Sequence, residues 1–119
     1  METFGAELLS IEVGAVVLRA PVSAVVSQQH GAAHAGLTFA LGDSAAGYAA
    51  LTQIPGDADV MTAEMKINLL RPALGDYLIA EGAVIKAGRR LVVVKADVFA
   101  EAGATRTHVA LLQGTMVPA

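Results

Sequence analysis

The chain has no cysteine among its 119 residues. That removes a disulfide framework, a thiolate nucleophile and any sulfur-ligated metal, and it does not suit a chain built for an oxidising compartment. Charge is scarce as well: 16% of residues are charged against 55% hydrophobic, and the net charge is −3. So low a charge on so small a protein predicts that part of its surface faces another chain rather than water. No run of basic residues exceeds the pair Arg89–Arg90, which argues against a nucleic-acid partner. The opening METFGAELLS has no basic stretch followed by an apolar one, so no secretory signal is read and a cytoplasmic location is expected. Arg19, Asp43 or Glu81 interrupts the most apolar segments before they reach the roughly 20 residues that a bilayer span needs, so no membrane partner is expected. Internal repeats, low-complexity tracts and linkers are also missing, and the length suits a single domain over residues 1–119 with a core of its own.

What is present reads as one helix among strands. After a short opening turn of helix, Leu8–Glu12 and Ala15–Ala20 are apolar, β-branched runs split by Gly14, which predicts two strands joined by a tight turn and closed by Pro21. Residues 22–33 show no sustained period and are expected to form a loop. His34–Leu51 reads as one long apolar helix ending near Thr52, because Pro55-Gly56-Asp57 is turn chemistry. Met61–Leu69 alternates strictly, with Met61, Ala63, Met65, Ile67 and Leu69 apolar, and predicts a half-buried antiparallel strand. Tyr77–Lys86, Leu91–Ala100 and Thr105–Val117 follow as strands, with turns at Ala87-Gly88 and Gly103. The order is α+β, with a mainly antiparallel sheet wrapped around one central helix.

Asp43 is the only carboxylate in that helix. An ionised carboxylate is costly to remove from water unless it finds donors, so an acid among small and apolar residues is the first candidate for chemistry. It lies too far from the helix start to be a cap, and the neighbouring Phe39, Leu41, Ala46, Gly47 and Ala50 suggest no polar stripe. His34-Ala35-Gly36 stands at the helix start, where backbone N–H groups lack intrahelical acceptors and feel the positive end of the helix dipole. Such donors can stabilise the oxyanion of an acyl-transfer intermediate. Ala35 and Asp43 are eight positions apart, about 12 Å along a helix, too far for one reacting centre to touch both. If both serve one site, Asp43 comes from a second chain, which predicts a two-fold dimer with two equivalent sites.

The remaining candidates are weaker. His30 and His34 have i, i+4 spacing, but no third ligand, HExxH pattern or cysteine accompanies them, so no metal is expected and His34 is read as a loop brace. Gln28 has the donor and acceptor needed to orient a carbonyl or a water. Thr62 could do the same, yet the alternation puts it on the polar face of its strand, away from the helix. Lys86, Arg89, Arg90 and Lys95 surround one hairpin and could meet the phosphates of an anionic tail, a solvated hairpin tip being the simpler reading.

Together, QQHGAAHAGLTFALGDSAAGYAA and the later MTAEMKINLLRPA resemble the hotdog-fold acyl-CoA thioesterases of the phenylacetic-acid-pathway (PaaI-like) type. Those proteins carry an HGG-type motif, an LAD or LAE on the central helix, and a later strand ending in RP. The resemblance runs from about Glu12 to the C-terminus and implies a hotdog fold with about five to six strands, and acyl-CoA hydrolysis at sites shared between two chains. It puts the family acid on Asp43, the oxyanion-hole glycine on Ala35, the motif histidine on His34, the upstream Asn or Gln on Gln28, and the Ser or Thr of the next strand on Thr62. Gly36, Arg89 and Arg90 are expected to contact the substrate. No cofactor is implied, since CoA is part of the substrate, and the partners are an acyl-CoA and a second copy in a homodimer or a tetramer. The chain departs from the pattern at Ala35, where a methyl would sit beside the thioester and a positive φ would be strained, and at Gly42, where Ala is usual and local looseness is expected. A non-catalytic hotdog protein that binds acyl-CoA or another small ligand is the alternative.

Overall fold

The computed structural model describes residues 5–22, 35–56 and 58–119. Six strands and one helix follow each other as β1 (Glu7–Glu12), β2 (Ala15–Pro21), α1 (Ala35–Leu51), β3 (Val60–Leu69), β4 (Tyr77–Ala87), β5 (Val92–Ala102) and β6 (Thr105–Pro118). They form one sheet in the order β1-β2-β4-β5-β6-β3, every neighbouring pair antiparallel. The sheet has the predicted composition and falls at the upper end of the expected strand count. Gly14 turns β1 into β2 at φ 78°, a conformation open to glycine without steric cost. Of the expected opening turn of helix, residues 1–4 lie outside the described residues, while Gly5 forms a turn at φ 66° and Glu7 already begins β1; of the 22–33 loop only Val22 is described.

Strand β5 follows its sequence pattern closely: Val92, Val94, Ala96, Val98 and Ala100 are all buried, and the residues between them are not. They join Val16, Leu18, Leu78, Leu112 and Met116 in a core beneath α1. The helix buries Leu37, Thr38, Leu41, Gly42, Ala45, Ala46, Ala49 and Ala50 against the sheet, a wide stripe of small residues that brings backbone close to backbone. At Gly82 of β4 a Cβ would stand 2.3 Å from the Ala45 carbonyl, so the helix rests directly on the strand. Gly42 is tight rather than loose, correcting the expectation for that position: a Cβ there would meet Leu112 Cδ1 at 2.8 Å and Val98 Cγ2 at 3.2 Å. Beyond Leu51 the Thr52 hydroxyl accepts the Gly14 N–H at 2.7 Å and donates to the Ala49 carbonyl at 2.6 Å, tying the helix end to the β1–β2 turn.

The alternation in β3 fails at one point. Pairing with β6 slips between Thr62 and Glu64, so Thr62 faces Met116 while Glu64 faces Thr115. A bulge residue on one strand reverses the sides on which the flanking residues project. Met65 and Ile67 pack against the core as predicted, but on the other side of the bulge it is Val60 that packs inward, while Met61 is 57% exposed. Strand β3 is also an edge of the sheet, and Leu69 at its far end is 59% exposed.

Candidate active site

The bulge decides where Thr62 goes. Its hydroxyl donates to Asp43 Oδ1 at 2.8 Å and lies 3.3 Å from Met116 Sδ. A residue that strict alternation assigns to the outer face is therefore turned to the helix side, where it holds one oxygen of the acid. Asp43 itself is half-buried, not buried, and it lies on an outward stripe of α1 with Ser44 and Tyr48, the latter 43% exposed. This corrects the expectation of a helix without a polar stripe. The acid opens into a cleft of about 190 Å³ between α1 and β3, lined by Asp43, Ser44, Gly47, Tyr48, Leu51, Asp59, Val60, Thr62 and Met116. A half-exposed carboxylate held by a hydroxyl, in a cleft of mixed polar and apolar lining, is equipped to attack or to deprotonate at the end of a small bound group.

Ala35 opens α1 as its first residue, a position where alanine's helical conformation is the ordinary one, so no positive-φ strain accompanies the replacement of glycine. Gly36 follows on the exposed side. Gln28, His30 and His34 lie outside the described residues. Arg89 and Arg90 are exposed at the β4–β5 turn, beside an open groove of about 430 Å³ that they line with Gly88 and Leu91. The register sets that turn near the acid's end of the sheet, because Val92 pairs with Met116 and Met116 with Thr62. Sequence reading brought Asp43 and Thr62 forward but missed the cleft's other walls. Gly47 and Leu51 follow Asp43 at helical spacing and were open to discovery by projecting the helix. Asp59, Val60 and Met116 arrive by strand pairing, which carries no local signal. Among the described residues no group of three or more His, Asp or Glu stands ready to hold a metal, and no helix is long and apolar enough to cross a membrane.

The course of α1 over the sheet orients the site. Gly42 lies over Leu112, which pairs with Ile67, whereas Gly47 lies near Met116 and Val60, and Met116 pairs with Thr62. The helix therefore advances toward the Val60 end of β3, and its N-terminus at Ala35 points back toward the Leu69 end.

A long helix wrapped by a six-stranded antiparallel sheet, with an acid on the helix beside the edge strand, defines a hotdog-fold protein. The model of the Thioesterase superfamily matches residues 30–107. Two curated proteins of Saccharolobus solfataricus, both named provisionally as esterases, are related to the chain. One is 36% identical over 76% of this chain and 59% of its own length, and the other 30% identical over 76% and 64%. The chain thus spans about three fifths of the length of the curated relatives it matches. The crystal structure of a thioesterase family protein from Silicibacter pomeroyi superposes with a TM-score of 0.96 at 36% identity, over 99% of this chain and 87% of that one. A phenylacetic acid degradation protein PaaI from Thermus thermophilus, solved as a point mutant, gives 0.84 at 29% identity over 98% and 96%. A Bacillus halodurans protein solved with CoA gives 0.79 at 27% identity over 87% and 66%. The chain belongs to the Thioesterase superfamily, in its PaaI-like hotdog branch.

Proposed function

We propose that the protein hydrolyses an acyl-CoA thioester to the free acid and CoA. The observation that carries this reading is Asp43 held by the Thr62 hydroxyl in a cleft that Val60, Met116 and Leu51 make apolar on one side. The Ala35 N–H, at the positive end of the α1 dipole, stabilises the oxyanion as the thioester carbonyl is attacked. Asp43 deprotonates the attacking water, or attacks the carbonyl itself. In either route the tetrahedral intermediate collapses by breaking the C–S bond and expelling the CoA thiolate, which takes up a proton. In the second route water then cleaves the resulting mixed anhydride to release the acid and restore Asp43. Gln28 orients the carbonyl, His34 braces the loop before the helix, and Arg89 and Arg90 meet the phosphates of the CoA tail. No cofactor is required. The solved relative with CoA and the match to the Thioesterase superfamily support the choice of substrate.

The reading needs two copies, since Ala35 and Asp43 of one chain are about 12 Å apart along α1. Two features support a second copy at β3. Among the described residues this strand is paired on one side only, with β6. Antiparallel pairing of β3 with its copy about Met65 would set Glu64 of each chain opposite Lys66 of the other, an attractive cross-strand pair on both sides of the axis. It would also bring the Leu69 end of one β3 to the Val60 end of the other, and so the helix N-terminus of one copy to the side of Asp43 in its neighbour.

Asp43→Asn is the direct test. Loss of a positioned general base or nucleophile is expected to slow CoA release by about 10²–10⁴-fold, measured as free thiol across aryl-acetyl, benzoyl and straight-chain CoA esters. A wild-type rate in that variant sinks the assignment, and acyl-CoA binding with no CoA release at any chain length favours the non-catalytic alternative.

A further inference from the structure

The cleft beside Asp43 has an apolar end, and a missing side chain holds it open. Gly47 stands one helical turn beyond Asp43 on the same stripe of α1. A Cβ there would lie 3.8 Å from Met116 Cε and 3.9 Å from Val60 Cγ2. One methyl group therefore fits, and anything larger projects between these two side chains, both of which line the cleft with Leu51 and Tyr48. The apolar end is continuous with the acid, because the Thr62 hydroxyl touches both Asp43 Oδ1 and Met116 Sδ.

Glycine in a helix interior is less stable than alanine, so its presence asks for a cause. At Gly42 packing supplies one, since a Cβ would meet Leu112 at 2.8 Å. At Gly47 no backbone approaches and both nearest atoms are side-chain ends at ordinary contact distance. Packing within the chain does not demand glycine there, and open space in the cleft does.

The cleft, of about 190 Å³, is open on one side, and an enclosed apolar cavity of about 150 Å³ already admits one benzene ring, so there is room over Gly47 for a group well beyond acetyl. Resting on the hydrolase reading above, we infer that Gly47 sets the size of the acyl group: the acyl part lies over Gly47 between Val60 and Met116, where any larger side chain would take its place.

The test compares kcat/KM for acetyl-, hexanoyl- and phenylacetyl-CoA in the wild type, Gly47→Ala and Gly47→Val, with sedimentation to follow assembly and thermal unfolding to follow folding. A methylene-sized change in an apolar pocket shifts discrimination between substrates by about 10–200-fold, and valine adds three carbons where glycine has none, so Gly47→Val is expected to lose about tenfold or more on the two larger esters while losing much less on acetyl-CoA. Gly47→Ala should fall between, with a melting temperature at or above wild type, which keeps the test alive if the valine variant folds poorly. An acyl-size profile in both variants identical to that of the wild type, or an equal loss on all three esters in Gly47→Ala, overturns the inference alone. A wild type that releases CoA from none of the esters overturns the hydrolase reading and this inference with it.

Discussion

A hydrogen bond from a hydroxyl to a carboxylate is stronger than one between neutral groups, and the bond from Thr62 to Asp43 joins residues 19 positions apart in the chain. Solvent reaches this bond, so its net worth is about 1 kcal/mol, and Thr62→Ala should reduce kcat by roughly 2–10-fold. Thr62→Ser keeps the hydroxyl and should keep most of the rate. A steady-state thiol-release assay separates these outcomes, and an alanine variant as active as the serine variant would show that the hydroxyl has no part in the chemistry. The other half of the site is a backbone group, which side-chain truncation cannot remove. Proline at the first position of a helix is tolerated and has no N–H, so Ala35→Pro should leave the fold intact, seen by circular dichroism, while slowing turnover by about 10²–10³-fold, the loss measured for a single oxyanion donor elsewhere.

Elements were legible where their residues see one uniform environment. Strand β5 is covered on one face along its whole length, so alternation alone predicted its buried residues. In β3 the same alternation was present in sequence, but one extra residue in the pairing with β6 reversed its sides. The bulge belongs to the relation between two strands about 50 residues apart, and neither strand announces it. The same applies to Gly82, which in sequence is one more glycine in a strand and in the fold is the point where the Ala45 backbone lands. Gly82→Ala should push helix from sheet and cost about 1–3 kcal/mol in chemical denaturation, as overpacking does elsewhere. At the edge, Glu64→Lys alone would set like charges opposite each other across a β3–β3 seam and should weaken dimerisation by roughly tenfold, while the double change Glu64→Lys with Lys66→Glu restores it. Analytical ultracentrifugation of the three proteins decides whether that register exists; equal dimer strength in all of them would rule it out.

At the scale of the whole molecule the claim is that an intact site draws on two chains. Mixing Asp43→Asn with Ala35→Pro subunits tests it without further structure. In a mixed dimer one site carries both defects and the other carries neither, so random exchange, which makes about half of the dimers mixed, should recover about a quarter of the wild-type sites. Sites confined to single chains would recover nothing, and the free-thiol assay reads the difference directly.

The amino-acid sequence by itself determined the element order, the antiparallel sheet around one apolar helix, and the acid that stands alone on that helix, because periodicity, turn residues and an isolated charge are local properties of a chain. It also carried the scarcity of charge that first suggested a second copy. Only the tertiary structure decided that Thr62 turns toward Asp43, that Asp43 is half-exposed on a stripe with Ser44 and Tyr48, and that Gly42 is filled by Leu112 while Gly47 opens a cleft. Each of these depends on which distant residue lies opposite, and in a sheet whose register slips by one residue that partner is set by the packing of the whole domain rather than by any neighbour in sequence.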